Sequence, residues 1–130
     1  MRVISTGSTK GNCYALQSST GEIVLLDCGC NYKKILRGID YQISNVFGVL
    51  LSHEHGDHTE AVHEIMNTGI TVYTGQGTIK NLGITDGTME AVTEKKYFKI
   101  GSFSAVPFSL PHTSANKEPC PNFGYLAELS

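Results

Sequence analysis

The sequence predicts one α+β domain, and three observations lead to that class. The chain has 130 residues, enough to bury a core without disulfides but too few for two lobes. Short apolar stretches between turn residues predict strands, whereas apolar residues at helical spacing elsewhere predict helices. Loops are short except near residues 111 to 122, and a long loop in a compact domain is often functional.

The amino-terminal thirty residues are expected to form a meander of strands, joined by turns rich in glycine, serine and threonine. These strands are Arg2 to Ser5, Cys13 to Gln17 and Glu22 to Asp27. Asn31 follows as the predicted cap of a helix. The apolar residues of this helix recur at i, i+3, i+4 and i+7, as Tyr32, Ile35, Leu36 and Ile39.

The outer face of this first helix carries Lys33, Lys34 and Arg37. Basic residues on one side of an amphipathic helix are most often a solvated surface. We therefore interpret them as surface residues, with contact to nucleic acid as the less favoured alternative.

The rest of the chain alternates further strands and helices. Val46 to Ser52 is a near-continuous apolar run, typical of a strand covered on both faces. Thr59 is expected to cap a second helix that stops before Gly69. The later predicted elements are a strand Ile70 to Tyr73, a short helix Thr78 to Leu82, two or three strands within Met89 to Leu110, and a final strand Phe123 to Leu129.

Charge and hydropathy exclude several classes of protein. Ten Lys and Arg residues against twelve Asp and Glu give a net charge of -2 and a pI near 6.2, which argues against binding nucleic acid by charge alone. Apolar runs fall far short of the roughly 20 residues that span a bilayer, so no membrane partner is expected. The polar amino terminus lacks a secretory pattern, and we expect a cytoplasmic protein.

The four cysteines, at positions 13, 28, 30 and 120, are interpreted as free and mostly buried thiols. Two disulfides are the alternative, but the spacing is irregular and no export signal indicates an oxidising compartment. The single residue between Cys28 and Cys30 fits neither the redox nor the zinc pattern with two intervening residues.

A cluster of histidines and an acid directly follows the predicted strand Val46 to Ser52. It contains His53, His55, Asp57 and His58. In extended backbone, side chains two residues apart point to the same side, so His53 and His55 can converge on one ion. Asp57 and His58 are re-aimed by the turn at Gly56 and could serve a second ion. Imidazole nitrogens with a carboxylate favour Zn²⁺, with Mn²⁺ or iron as substitutes.

This His-x-His-x-Asp-His motif, together with the upstream strand Ile23 to Gly29, resembles the metallo-β-lactamase superfamily of zinc-dependent hydrolases. The resemblance implies a four-layer αββα fold with the metals at one edge of two packed sheets. Residues Ser5 to Asn12, and the segment from His112 to Tyr125, resemble the phosphodiesterase side of the superfamily. That side includes YycJ-type exonucleases, transfer-RNA 3′-processing ribonucleases and cyclic phosphodiesterases.

The resemblance also implies roles for individual residues. His53, His55 and a later histidine hold the first metal, and His112 after the strand ending at Leu110 is the candidate for the third ligand. An ordinary loop histidine is the alternative interpretation of His112. Asp57 and His58 help to hold the second metal. Asp27 would lie beside the metals as a catalytic-site carboxylate that accepts a ring N–H of a ligating histidine. Its alternative role is that of a turn-forming residue before Gly29.

In the family, a second half of the domain supplies a bridging aspartate and a final histidine, whereas no histidine follows His112 here. We therefore expect residues 1 to 130 to form a single metallo-β-lactamase-like domain that lacks the usual carboxy-terminal half. An uncovered sheet face would be an apolar patch. This leads us to expect a homo-oligomer, or a partner that supplies the missing half.

The function implied by the resemblance is metal-dependent hydrolysis of phosphodiesters in nucleic acid or nucleotides. Two alternatives remain open: a thioesterase of the glyoxalase II kind, and a non-catalytic metal-binding or assembly module. Lys95, Lys96 and Lys99 form a second basic patch, which could meet phosphates or simply protect an edge strand.

Overall fold

A computed structural model of the chain describes residues 2–6, 11–52, 59–83, 88–109 and 123–129. The described residues form two sheets and the helices that cover one of them. The first sheet contains β1 (Arg2–Ser5), β2 (Cys13–Gln17), β3 (Ile23–Leu26), β4 (Val46–Leu50), β5 (Val72–Thr74) and β6 (Met89–Ala91). The second contains β7 (Phe98–Ile100), β8 (Phe103–Ser109) and β9 (Phe123–Leu129).

The strands of each sheet lie side by side in chain order. The first three strands pair antiparallel, whereas β3, β4, β5 and β6 are all parallel. Parallel neighbours need a crossover connection. Helices lie in all three connections: between β3 and β4, between β4 and β5, and between β5 and β6. The carboxyl ends of these four parallel strands consequently meet at one edge of the first sheet.

Three α-helices and one short 3₁₀ turn connect the strands: α1 (Tyr32–Gly38), the 3₁₀ turn Ile43–Asn45, α2 (Val62–Asn67) and α3 (Gln76–Leu82). The predicted cap of α1 is confirmed, because the Asn31 side chain accepts a hydrogen bond of 2.8 Å from the backbone N–H of Lys33. The predicted cap of α2 is wrong. Ala61 occupies the cap position and no side-chain hydrogen bond caps this helix.

Two hydrophobic cores hold the layers together. The larger lies between the helices and the outer face of the first sheet, with Ile35 and Ile65 packed among residues such as Leu25 and Val49. The smaller lies between the two sheets and contains Val24, Leu50, Ile100, Phe103 and Ala105. Because successive side chains of a strand point to opposite faces, β3 sends Leu25 to the first core and Val24 to the second.

The predicted α+β class is confirmed, and the described residues form three layers of the αββα arrangement: helices, first sheet and second sheet. The bounds predicted for β1, β2 and β9 are also those of the structure. The segment from Met89 to Leu110 holds three strands. Within the described residues, no helix is long and apolar enough to cross a membrane.

Candidate metal centre

The candidate site lies at the carboxyl edge of the parallel strands. Residues 53–58, which carry His53, His55, Asp57 and His58, lie outside the described residues, as does His112. The residues on both sides of the motif are described, however. Their hydrogen bonds show what holds the chain directly before and after the motif.

Both ends of the motif are hydrogen-bonded to one dipeptide, Asp27–Cys28. On the entry side, the backbone N–H of Ser52 donates to Oδ1 of Asp27 at 2.8 Å. On the return side, the backbone N–H of Ala61 donates to the carbonyl oxygen of Cys28 at 2.9 Å. The described residues on the two sides of the motif are therefore fixed to the same dipeptide beside β3, at the carboxyl edge of the sheet.

Asp27 is buried, with 8% of its surface exposed, and its carboxylate is well supplied with donors. Besides the backbone bond, the Ser52 hydroxyl lies 3.0 Å from Oδ1 and 2.9 Å from Oδ2. The backbone N–H of Asp27 donates to the carbonyl oxygen of Leu50 at 2.9 Å. These contacts fix the carboxylate against the residue that directly precedes His53.

The two roles considered for Asp27 from sequence, turn former and site carboxylate, are compatible in the structure. Its φ of 61° places the backbone in the left-handed region, which Asp tolerates better than most side chains. The chain turns sharply there, and the carboxylate is aimed at Ser52. Its role toward a ligating histidine stays a prediction.

A tyrosine from the second sheet completes the described part of the edge. The Tyr125 hydroxyl donates to the carbonyl oxygen of Leu51 at 2.8 Å and lies 3.3 Å from that of Tyr73. The Thr74 hydroxyl donates to the same Leu51 carbonyl at 2.9 Å. Burial raises the pKa of Tyr125 well above its ordinary value, so the phenol stays protonated as a donor.

Sequence reasoning did not assign roles to Ser52, Thr74 or Tyr125 at this site. Ser52 could have been noted because it directly precedes the motif. Thr74 and Tyr125 carry no local signal, because their importance depends on which strands lie side by side.

Between the two sheets, a cavity of about 190 Å³ is lined by Asp27, Ser52 and Tyr125, together with Tyr14, Leu26, Leu50 and Gly124.

The described cysteines are free thiols, as expected. Cys13, Cys28 and Cys30 are buried and form no disulfide, whereas Cys120 lies outside the described residues. Burial, followed by the negative charge of Asp27, raises the pKa of Cys28. A hydrogen bond between the thiols of Cys13 and Cys30 raises the pKa of Cys13 and lowers that of Cys30.

The donor chemistry at this edge fits a divalent metal. Three histidines and an aspartate follow Ser52 within six residues, and nitrogen ligands with a carboxylate are a preferred set for zinc. The buried Asp27 carboxylate, which is hydrogen-bonded to Ser52, is the kind of group that orients a metal-bound histidine. Among the described residues, no group of three or more His, Cys, Asp or Glu side chains is placed to hold a metal.

The comparisons with known proteins agree with this fold. The model of the metallo-β-lactamase superfamily matches residues 6–118. A search of curated proteins finds no match. The chain therefore belongs to the metallo-β-lactamase superfamily, whose members are generally metal-dependent hydrolases and typically bind divalent metals, often zinc.

Several solved structures share the fold. The metallo-β-lactamase fold protein YhfI from Bacillus subtilis superposes with a TM-score of 0.71 at 17% identity, over 96% of this chain and 56% of that protein. The metallo-β-lactamase SMB-1 bound to 2-mercaptoethanesulfonate gives 0.68 at 18% identity, over 93% and 53%. Igni18, a metallo hydrolase from Ignicoccus hospitalis, gives 0.64 at 14% identity, over 90% and 52%. The chain thus spans about half the length of these structures.

Proposed function

We propose that the chain is part of a metal-dependent hydrolase that cleaves phosphodiester bonds in nucleic acid or nucleotides. The observation that carries the proposal is that the described residues on the two sides of the histidine motif are fixed to Asp27 and Cys28, at the carboxyl edge of the sheet. Hydrolysis in general follows from the superfamily. The choice of phosphodiesters is supported by the sequence segments that resemble the phosphodiesterase side.

In this proposal, His53, His55 and His112 hold one Zn²⁺, and Asp57 and His58 contribute to a second. Bound metal would lower the pKa of a water molecule toward neutrality and so supply the nucleophile. Mn²⁺ or iron could replace zinc at the same donors.

The described residues position this site. Asp27, held by Ser52, is a positioning residue that would accept a ring N–H from a ligating histidine and fix the tautomer of that histidine. Tyr125 and Thr74 hold the Leu51 carbonyl, so the last residues before the motif cannot shift along the strand. In this proposal, these groups hold the site in place and do not themselves take part in the reaction.

The first experiment measures metal content and hydrolysis together. We expect bound zinc, and hydrolysis of bis-p-nitrophenyl phosphate that His55→Ala abolishes. His63→Ala is the matched control, because His63 is an exposed histidine of α2 and its removal should leave both readings unchanged.

Three results would overturn the proposal, with a glutathione thioester assayed as a second substrate. Activity that survives His55→Ala would remove the motif from the chemistry. Preferential cleavage of a glutathione thioester would instead identify a thioesterase, and metal binding without hydrolysis of either substrate would identify a binding module.

Asp27→Asn provides a separate test of the positioning role. The amide keeps the shape of the side chain but loses its charge, so we expect the affinity for zinc to fall about 10- to 100-fold. Competition with a chromophoric chelator measures this affinity. An unchanged affinity would assign Asp27 to the turn alone.

We also propose that a second copy of the chain, or a partner, covers the outer face of the second sheet. Alternation along β8 and β9 places Phe108 and Leu126 on that face, opposite the residues of the inter-sheet core, together with Val106, which is itself buried. Phe108 is 39% exposed and Leu126 52% exposed, which is unusual for large apolar side chains that share one face.

A further inference from the structure

A second cleft lies where the edges of the two sheets approach each other, between β6 and β7. Its volume is about 380 Å³, and its side chains include Tyr73, Glu90, Lys96, Tyr97, Phe98 and Lys99. This volume falls within the range of about 300–1,000 Å³ that is usual for ligand sites. None of the residues assigned to the metal centre lines this cleft.

The cleft adjoins the edge that carries the metal centre. The backbone N–H of Val92, just after β6, donates to the carbonyl oxygen of Thr74 at the carboxyl end of β5. The turn that follows β6 is fixed to the second sheet by a hydrogen bond of 2.8 Å from the N–H of Lys95 to the carbonyl oxygen of Pro107. A ligand in the cleft would therefore lie along the same edge as Ser52 and the histidine motif.

Aromatic rings form one part of the cleft. Tyr73 and Phe98 are stacked, with ring centroids 5.2 Å apart and an angle of 29° between planes. The stack needs the glycine at position 48, because a Cβ there would lie 2.8 Å from Cε2 of Tyr73. Tyr97, by contrast, is 66% exposed. Its ring is thus available to a flat ligand.

Positive charge forms the other part of the cleft. Lys96 and Lys99 line it, against the single acid Glu90. Three of the ten basic residues of this acidic chain fall between positions 95 and 99. Burial and the nearby Glu90 raise the pKa of Tyr73, so its hydroxyl stays a neutral donor. Lysines beside an exposed ring are the combination that binds single-stranded nucleic acid, with phosphates on the cations and bases on the ring.

We infer that the cleft between β6 and β7 is a subsite for single-stranded nucleic acid, in which Tyr97 stacks on a base while Lys96 and Lys99 contact phosphates. The inference rests on the proposed phosphodiesterase function, because it names single-stranded nucleic acid as the substrate class of that enzyme. The cleft would hold the strand along the carboxyl edge of the first sheet, where Ser52 lies.

The test measures binding of a fluorescein-labelled oligothymidylate of about twelve nucleotides by anisotropy, in the presence of EDTA. The chain carries His55→Ala, so that neither metal nor cleavage contributes. We expect binding that weakens as salt rises from about 50 to about 200 mM, because phosphate contacts release counterions.

Three variants test the contributions of the lysines and of the tyrosine ring to binding separately. Lys96→Ala with Lys99→Ala should reduce the slope of log affinity against log salt by about 1.4, or 0.7 for each lost phosphate contact. Tyr97→Ala should weaken binding about fivefold or more with the slope unchanged, and Tyr97→Phe should restore it, because the ring suffices for stacking. Lys80→Ala, an exposed lysine of α3, is the control and should match the parent.

Absence of binding at low salt, or unchanged slope and affinity in the lysine and tyrosine variants, would overturn the inference and leave the lysines as protection for the edge strand. Binding of a duplex as tightly as the single strand would also contradict it, because paired bases cannot stack on Tyr97. Binding without metal and hydrolysis of bis-p-nitrophenyl phosphate are independent measurements. A failed subsite is thus distinguishable from a failed hydrolase.

Discussion

At the scale of single residues, the contact between Asp27 and Ser52 matters most for the site. The buried carboxylate accepts hydrogen bonds from both the backbone and the hydroxyl of Ser52. Hydrogen bonds to charged groups contribute more to stability than neutral ones, and a buried carboxylate that loses a donor is costly.

Replacement of Ser52 by alanine should therefore lower the free energy of unfolding by about 1.5–3 kcal/mol. Urea unfolding of the metal-free chain measures the change. Ser44→Ala, at an exposed position of the 3₁₀ turn, should change stability by no more than about 0.5 kcal/mol. Equal stabilities for the two variants would show that the hydroxyl contributes nothing to holding Asp27.

The Cys28 thiol and the Tyr125 phenol predict how stability depends on pH. Burial raises the pKa of Cys28 above its ordinary value of 9.0, and that of Tyr125 above 10.0. The unfolded chain releases these protons at their ordinary values, whereas the folded chain retains them. Their contribution is complete below about pH 9 and decreases as the pH rises further.

The urea midpoint should accordingly fall between about pH 8 and about pH 10.5, and the fall should be smaller in Cys28→Ala. Cys28→Ala also leaves a cavity, which lowers stability by the same amount at every pH. The comparison is therefore made on the change of the urea midpoint with pH within each protein. A midpoint that stays level in the parent chain would contradict the assignment of a neutral Cys28 thiol and a neutral Tyr125 phenol to the folded state.

At the scale of elements, α1 shows how local sequence fixes a boundary. Asn31 caps the helix through its side chain, and Ile35 and Ile39 are buried against the sheet at the predicted spacing. The same reasoning failed at Thr59, because Ala61 is tied to Cys28 and the helix begins after that contact. A hydrogen bond between residues far apart in the sequence decided where this helix begins. Such a bond cannot be predicted from the local sequence pattern.

The cap of α1 can be tested by substitution. Asn31→Ala should destabilise the chain by about 1 kcal/mol, because the N–H of Lys33 loses its acceptor. Asn31→Ser should retain most of the stability, since serine is also a favourable cap. Thermal unfolding of both variants measures the difference, and similar losses for alanine and serine would argue against a side-chain cap.

At the scale of the whole molecule, the outer face of the second sheet predicts association. Leu126 of β9 is exposed beside the buried Val106 of β8, its register partner, and Phe108 extends the exposed apolar surface next to it. Exposed apolar surface of this kind favours contact with another protein surface. We expect a dimer or higher assembly at micromolar concentration.

Sedimentation equilibrium tests this expectation. Leu126→Lys places a charge on the proposed interface and should shift the chain toward monomer. Ser44→Lys adds the same charge at an exposed position of the 3₁₀ turn and should leave the assembly unchanged. A monomer in the unsubstituted chain, or equal association of the two variants, would exclude this face as the interface.

Much of the fold could be predicted because its signals are local. Alternation gave β2, helical spacing and a capping side chain gave α1, and the turn at Gly101 lies where glycine and serine interrupt the apolar pattern. The motif from His53 to His58 indicated a metal site by spacing alone. The structure adds where the residues on its two sides are fixed, and the ligands themselves lie outside the described residues.

By itself, the sequence determined the class of fold and most of the elements, and it predicts a metal-binding site, because each of these signals depends on neighbours within a few residues. The tertiary structure alone decided which groups support the site. Ser52 meets Asp27 across 25 positions, and Tyr125 meets Leu51 across 74. The cleft between β6 and β7 likewise exists only when two sheets pack together. The physical reason is strand order, which brings distant residues to one edge and which no local periodicity specifies.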